Sequence, residues 1–141
     1  MYINQIEQAL KIAIMAHEGQ KDLDGLPEIL HPISVGFAGQ NEEEMIVGFL
    51  HDVVEDSNVT IDFLRAAGYS PRIVEALELL THTKDMTYDE YLRRILHSGN
   101  ELALNVKLND LRHNLQRGRA GGHTKQVEKH ERALRILTEG A

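Results

Sequence analysis

Residues 48–56 read GFLHDVVED. Four apolar side chains, Phe49, Leu50, Val53 and Val54, are interrupted by His51-Asp52 and followed by Glu55-Asp56. On a helix, where successive residues stand about 100° apart, His51 and Asp52 lie side by side at one edge of the apolar face. Glu55 falls one turn beyond His51, and Asp56 one turn beyond Asp52. Three carboxylates gathered at the rim of a core are costly unless a cation or hydrogen bonds compensate them. A divalent metal ion is the simplest compensation, so this stretch is expected to hold a cation with a general base beside it.

Two other stretches offer partners. His31, in LHP, stands where a loop passes into a helix, a firm place to present a ligand. Asp110, in VKLNDLRHN, puts a charge among Val106, Leu108 and Leu111, and Lys107, Asp110 and Asn114 share a face at i, i+3 and i+7. Each residue also has a plainer reading. Asp52, Glu55 and Asp56 could be a wetted helix end, His31 a cap, and Asp110 the surface partner of Lys107 or Arg112. Lys107 and Asn114 taken singly read as solvated. A lone His-Asp pair is weak; the order His, then His-Asp, then a distant Asp is much more specific. His17, His82, His97, His113, His123 and His130 show no partner pattern and are expected on the surface or behind the site.

The elements that must carry these residues read as helical. Periodic apolar positions (Ile6, Ala9, Leu10, Ala13, Ala16) predict a helix over 4–17. The segment EGQKDLDGLPEIL reads as a loop, and a short helix is expected from Pro32. Residues 42–54 predict one apolar helix. Thr60 is expected to cap a helix ending at Gly68, and Ser70-Pro71 to open one reaching Leu80. TYDE at 87–90 has the form of a capping box for a helix to Ser98. A further helix is expected over 100–117, ended by the glycines of RGRAGG, and a last, largely charged one over 124–138 on the outside. About eight helices in 141 residues predict an all-α bundle, one domain over 1–141.

Composition narrows the chemistry. The chain has no cysteine, so disulfides and thiolate metal sites are excluded, and a metal must be held by His, Asp, Glu, Asn or backbone oxygen. The net charge of −7 is unlike that of a general nucleic-acid binder. An acidic protein acting on an anionic substrate needs local positive charge, which a bound divalent cation would supply. The first twenty residues are neither a signal peptide nor a lipidation motif, and no apolar run is long enough to span a membrane. A cytoplasmic location is expected.

With these residues in view, the chain resembles the HD-domain phosphohydrolases, and within them the hydrolase half of RelA/SpoT-type enzymes and the small stand-alone (p)ppGpp hydrolases. The matching phrases are AHEGQ, GLPEILHP, GFLHDVVEDSNVT, LLTHTKDMTYDEY and VKLNDLRHN, in that order. The resemblance implies an all-α HD fold holding one Mn²⁺, with Fe²⁺, Zn²⁺, Ni²⁺ and Mg²⁺ also compatible with the donor types. It implies His31, His51, Asp52 and Asp110 as metal ligands and Glu55 and Asp56 as the acidic pair that handles the attacking water. Asn114 would position water or phosphate, and Lys107 and Lys21 would meet the substrate. The implied reaction removes the 3′-diphosphate of (p)ppGpp as pyrophosphate. The pattern departs at Asp22, Leu23 and Glu28, where the family usually has Arg, Lys and Tyr. Those departures leave the metal chemistry intact and open the choice of nucleotide. The alternatives are an HD nucleotidase or phosphatase for another nucleotide, and a non-catalytic nucleotide-binding module. The expected partner is a small-molecule nucleotide, with no nucleic acid and no membrane; oligomeric state is not legible.

Overall fold

The computed structural model describes residues 4–140; the first three residues and the last, all within the domain expected over 1–141, lie outside the described residues. Among the described residues nine helices follow one another: α1 (Gln5–Ala16), α2 (Leu30–Phe37), α3 (Glu42–Leu50), α4 (Val53–Asp56), α5 (Ile61–Ala66), α6 (Pro71–Leu80), α7 (Tyr88–His97), α8 (Glu101–Gly121) and α9 (Thr124–Glu139). The only extended pairing among them is an isolated bridge between Lys21 and Pro27. The all-α expectation is met, with one helix more than expected.

Most starts are set by side-chain caps that satisfy the free N–H groups of a first turn. Asn4, Asn41, Thr60, Ser70 and Asn100 accept from backbone N–H groups of α1, α3, α5, α6 and α8. Thr87 and Glu90 form the full capping box of α7.

Three boundaries differ from the sequence expectation, each for a local reason. α2 begins at Leu30 rather than Pro32. Pro32 is then its third residue, still within the turn whose N–H groups have no helical partner, so the proline removes no hydrogen bond. The helix expected over 42–54 stops at Leu50, and α4 restarts at Val53. In an unbroken helix the Gly48 carbonyl would accept from the N–H of Asp52; instead His51 Nδ1 reaches that carbonyl at 2.7 Å. Asp52 turns to φ −103°, ψ −1°, the sparsely populated bridge region. α8 runs through RGRAG to Gly121 and ends at Gly122, whose φ of +70° is the left-handed geometry favoured at helix ends. Packing on α9 sustains the glycine-bearing turn: a β-carbon on Gly118 would lie 3.1 Å from Val127 Cγ2.

α3 lies at the centre, with Ile46, Val47, Phe49 and Leu50 fully buried. α1, α2, α6 and α8 pack around it, and α9 covers α7 and α8 from outside. α9 buries only Ala133, Ile136 and Leu137, in keeping with its expected outer position. α2 and α3 meet at two glycines. A β-carbon on Gly48 would fall 2.7 Å from Gly36 Cα, and one on Gly36 would enter the Phe49 ring. Only hydrogen fits at this crossing, which brings the helices bearing His31 and His51 together.

Candidate metal centre

α2, α3 and α8 pack on one another in pairs, and each brings a buried polar residue to the place where they meet. His31 comes from the first turn of α2, His51 from the end of α3, Asp52 from the break before α4, and Asp110 from the middle of α8. His31 and His51 are 2% and 3% exposed and Asp110 is 3% exposed, while Asp52 is reachable by water. His31 Nε2 lies 2.7 Å from Asp110 Oδ1 and 3.8 Å from Asp52 Oδ2. His51 Nε2 lies 3.2 Å and 3.1 Å from the same two oxygens.

One ligand atom from each of the four lies within 4.8 Å of all the others. Two donors about 2.1 Å from a shared ion stand no more than about 4.2 Å apart, so small side-chain shifts close the four on one cation. Two imidazole nitrogens and two carboxylate oxygens suit Mn²⁺, Fe²⁺, Zn²⁺ and Ni²⁺ without selecting among them. The donor set therefore fits a divalent metal ion.

The electrostatics agree. Burial opposes charge on His51, yet Asp52 and Asp110 hold its imidazolium proton to well above the usual histidine range. Burial also favours the neutral acids, but Lys107 and the two histidines hold Asp110 well below the usual carboxylate range, and His51 holds Asp52 below it. Acids that stay ionised in a core await positive charge.

Supporting groups fix the orientation of these four side chains. The His51 Nδ1–H donates to the Gly48 carbonyl at 2.7 Å; a carbonyl only accepts, so Nε2 is the nitrogen that would give up its proton to a metal at the centre. His31 Nδ1 lies 2.7 Å from Nδ1 of His113, and the two rings stack 5.0 Å apart. Burial and the neighbouring His31 and Arg117 push His113 down to about 4. Neutral at pH 7, it can accept the proton of His31 Nδ1 and leave Nε2 free to bind metal. On Asp110, Oδ2 accepts from Lys107 Nζ at 2.8 Å and Oδ1 from Asn114 Nδ2 at 3.1 Å.

The structure distributes the expected site residues unevenly. His31, His51, Asp52 and Asp110 come together, and Asn114 and Lys107 join them through Asp110. Lys107 is 8% exposed; its ammonium lies on Asp110 and 5.1 Å from the Tyr91 ring centroid, a position that anchors a ligand. Glu55 follows on α4 and accepts from the backbone N–H of His82. Lost hydration pushes its carboxyl upward against that hydrogen bond, with Asp52 and Asp56 adding to the rise. Asp56 is raised in the same way, by lost hydration and then by Asp52. The Asp56 carbonyl accepts from Gln20 Nε2 at 2.7 Å, and Gln20 Oε1 lies 2.9 Å from Nδ1 of the buried His17. The AHEGQ phrase thus holds α1 against the end of α4. Lys21 stands apart, on a cavity that reaches the centre at Asn114.

Two participants are not legible in the sequence. His113 meets its partner across 82 positions. Arg117 reaches back 89 positions to Glu28, at 3.3 and 3.4 Å, and donates from Nε to Asn114 Oδ1 at 2.9 Å. Its place at i+7 from Asp110 on the same helix face was the one available signal.

No family profile matches the chain. It is 29% identical over 144 residues to a GTP pyrophosphokinase of Streptomyces coelicolor, covering 95% of this chain and 17% of that protein. It is 28% identical over 91 residues to a guanosine-3′,5′-bis(diphosphate) 3′-pyrophosphohydrolase of Aquifex aeolicus, covering 62% of this chain and 13% of that one. The chain thus spans less than a fifth of the length of these relatives, and as little as 6% of others it matches. A solved structure described as a metazoan ortholog of SpoT that hydrolyzes ppGpp superposes with a TM-score of 0.77 at 20% identity, over 99% of this chain and 86% of that one. The relatives bear out the resemblance read from the motifs, and the superposition bears out the fold.

Proposed function

We propose that this chain is a metal-dependent phosphohydrolase acting on a nucleotide, in the first instance a (p)ppGpp 3′-pyrophosphohydrolase using Mn²⁺. The observation that carries the reading is the meeting of His31, His51, Asp52 and Asp110 within ligand distance of one another. The names of the Aquifex aeolicus relative and of the superposed structure support the substrate class. A divalent ion held there supplies an acidified water and a counter-charge for phosphate.

The chain's own residues do the rest. Glu55 and Asp56, whose carboxyls lost hydration pushes upward, stand on the turn after Asp52 and would accept a proton from the attacking water. The His82 N–H holds Glu55 in place. Asn114, its amide turned by Arg117, keeps Asp110 Oδ1 directed at the centre. Lys107 saturates Asp110 Oδ2, so that this ligand presents one oxygen. Pyrophosphate release from ppGpp with Mn²⁺ tests the reading. Glu55→Gln should keep metal affinity and lose 100-fold or more in turnover, about the contribution of a general base; Asp110→Asn should lose both. Normal hydrolysis by both variants would end the assignment.

A second reading, hydrolysis of a different nucleotide on the same metal centre, is favoured by Asp22 and Glu28, which bring negative charge to positions the resemblance fills with Arg and Tyr. Orthophosphate from a mononucleotide, in place of pyrophosphate from ppGpp, would select it.

A further inference from the structure

Between α2 and α8 runs an open groove of about 540 Å³. Ser34 and Phe37, three positions apart on α2, form one wall. Asn109, Arg112, His113 and Gln116, at i, i+3, i+4 and i+7 on α8, form the other. Residues so spaced share a helix face, and Arg112 stands about 200° around α8 from Asp110. The groove is therefore distinct from the metal centre. The two helices run antiparallel here: Glu28, just before α2, meets Arg117, and His31 meets His113. Phe37 thus lies toward Asn109, and Ser34 toward Gln116. The volume is within the usual range for small-ligand sites.

The lining is unlike a merely wetted helix face. No carboxylate is part of it, in a chain of net charge −7. Arg117 and Arg119, on the same helix, are paired with Glu28 and Glu131. Arg112 is exposed and, among the described residues, has no acid within salt-bridge distance. A guanidinium left free in this way can take a phosphate through two parallel N–H bonds. Phe37 is 66% exposed, yet its ring is held from below: it stands at 88° to the fully buried Phe49, with 5.7 Å between centroids. An aromatic ring fixed on one side and bare on the other is a stacking platform. Peptide dipoles put partial negative charge at the C-terminal end of α2, beside Phe37. An anion therefore belongs toward Arg112 and Gln116, and a flat ring on Phe37. His113 is the wall the groove shares with the centre. Its Nδ1 is spent on His31, which leaves Nε2 as the nitrogen free for a ligand.

We propose that the α2–α8 groove is a second nucleotide site, separate from the metal centre, with a base stacked on Phe37 and a phosphate held by Arg112. It requires no metal, and it stands whether or not a nucleotide is hydrolysed at the centre. The chemistry it recognises is an aromatic ring joined to phosphate, and a nucleoside monophosphate fills the volume better than a simple aryl phosphate. A nucleotide held there touches the ring that supports His31 without entering the centre.

The test titrates guanosine monophosphate, adenosine monophosphate, guanosine, phenyl phosphate and inorganic phosphate separately into the full chain freed of metal. The Phe37 ring, the Arg112 Nε–H and the His113 ring are followed by NMR. Both nucleotides should shift all three groups saturably, with one affinity. Guanosine, phenyl phosphate and inorganic phosphate should each bind at least threefold more weakly. Phe37→Leu keeps the apolar contact with Phe49 and removes the platform; Arg112→Gln removes the cation. Both positions are exposed, so the fold and the Mn²⁺ affinity should be unchanged, while nucleotide affinity falls threefold or more in each. Nucleotides that leave Phe37 and Arg112 unshifted would overturn the proposal. So would any of the three partial ligands binding within threefold of the nucleotides, or either variant losing less than threefold. If the unaltered chain hydrolyses no nucleotide, the functional reading falls and the titration still decides the groove.

Discussion

Replacing Lys107 by Met leaves the apolar stem and its contact with Tyr91 in place and removes the ammonium from Asp110 Oδ2. At 2.8 Å and an effective dielectric of about 20, the Coulomb attraction of the pair is roughly 6 kcal/mol. Part of this is offset by the cost of drying both groups, and breaking such a buried pair from one side costs about 3–5 kcal/mol. Against a domain stability of about 5–15 kcal/mol, that is a large share. Urea unfolding at pH 7 in the presence of a chelator should therefore show Lys107→Met destabilised by about 3–5 kcal/mol. Asp110→Asn should lose a similar amount, because it strands the ammonium instead. The double variant should fall short of the sum by about 2 kcal/mol or more, the signature of direct coupling. Mn²⁺ should raise the midpoint of the unaltered chain and of Lys107→Met, which keep all four ligands, and should leave both Asp110 variants unmoved. Single effects that add to within about 0.5 kcal/mol, or a Lys107→Met protein of unaltered stability whose turnover is lost through KM alone, would refute the anchoring role and return Lys107 to the substrate.

Three further outcomes follow from the geometry. His113→Phe removes the acceptor for His31 Nδ1 and should weaken Mn²⁺ binding by about 10–100-fold, read by calorimetry; an unchanged affinity would show that the His31 ring is fixed by other contacts. Gly48→Ala forces α2 off α3 and should cost roughly 1–3 kcal/mol of stability together with metal affinity, whereas an alanine on α9 at the exposed Glu128 should cost neither. His130 gives up its proton near 4 in the folded chain and near 6.5 when unfolded, so between those values the unfolded chain binds more protons and stability falls as pH drops. His130→Gln should flatten that part of the acid-stability curve, and an unchanged slope from pH 6.5 to 4 would contradict the half-buried neutral ring.

Most helix starts were legible because their determinants are local. Thr87 and Glu90 lie three positions apart, and Ser70-Pro71 is a start signal in two residues. The break at His51–Asp52 was not, because its cause is a ring nitrogen competing for a backbone carbonyl, which periodicity does not register. The glycines of RGRAGG misled for the opposite reason: their local preference is outweighed by packing on α9. At the site, the four residues that meet could be read as polar residues set into apolar runs. His113 and Arg117 could not, because their partners lie 82 and 89 positions away, and nothing local marks a histidine or an arginine on a polar helix face as engaged. Asp22 and Glu28 were visible as departures, but their meaning depended on the arginine that the fold delivers to them.

The glycine seam between α2 and α3 sets an angular tolerance for the whole centre. Gly36 lies five residues from His31, roughly 7.5 Å along the axis at 1.5 Å per residue. Rocking α2 about that pivot by only about 4° would carry the His31 imidazole through roughly 0.5 Å, the slack a preorganised site allows. Two backbones in direct contact leave little freedom to rock. An ion binding there would meet imidazoles whose spacing is already set, the entropy of arranging them having been spent during folding.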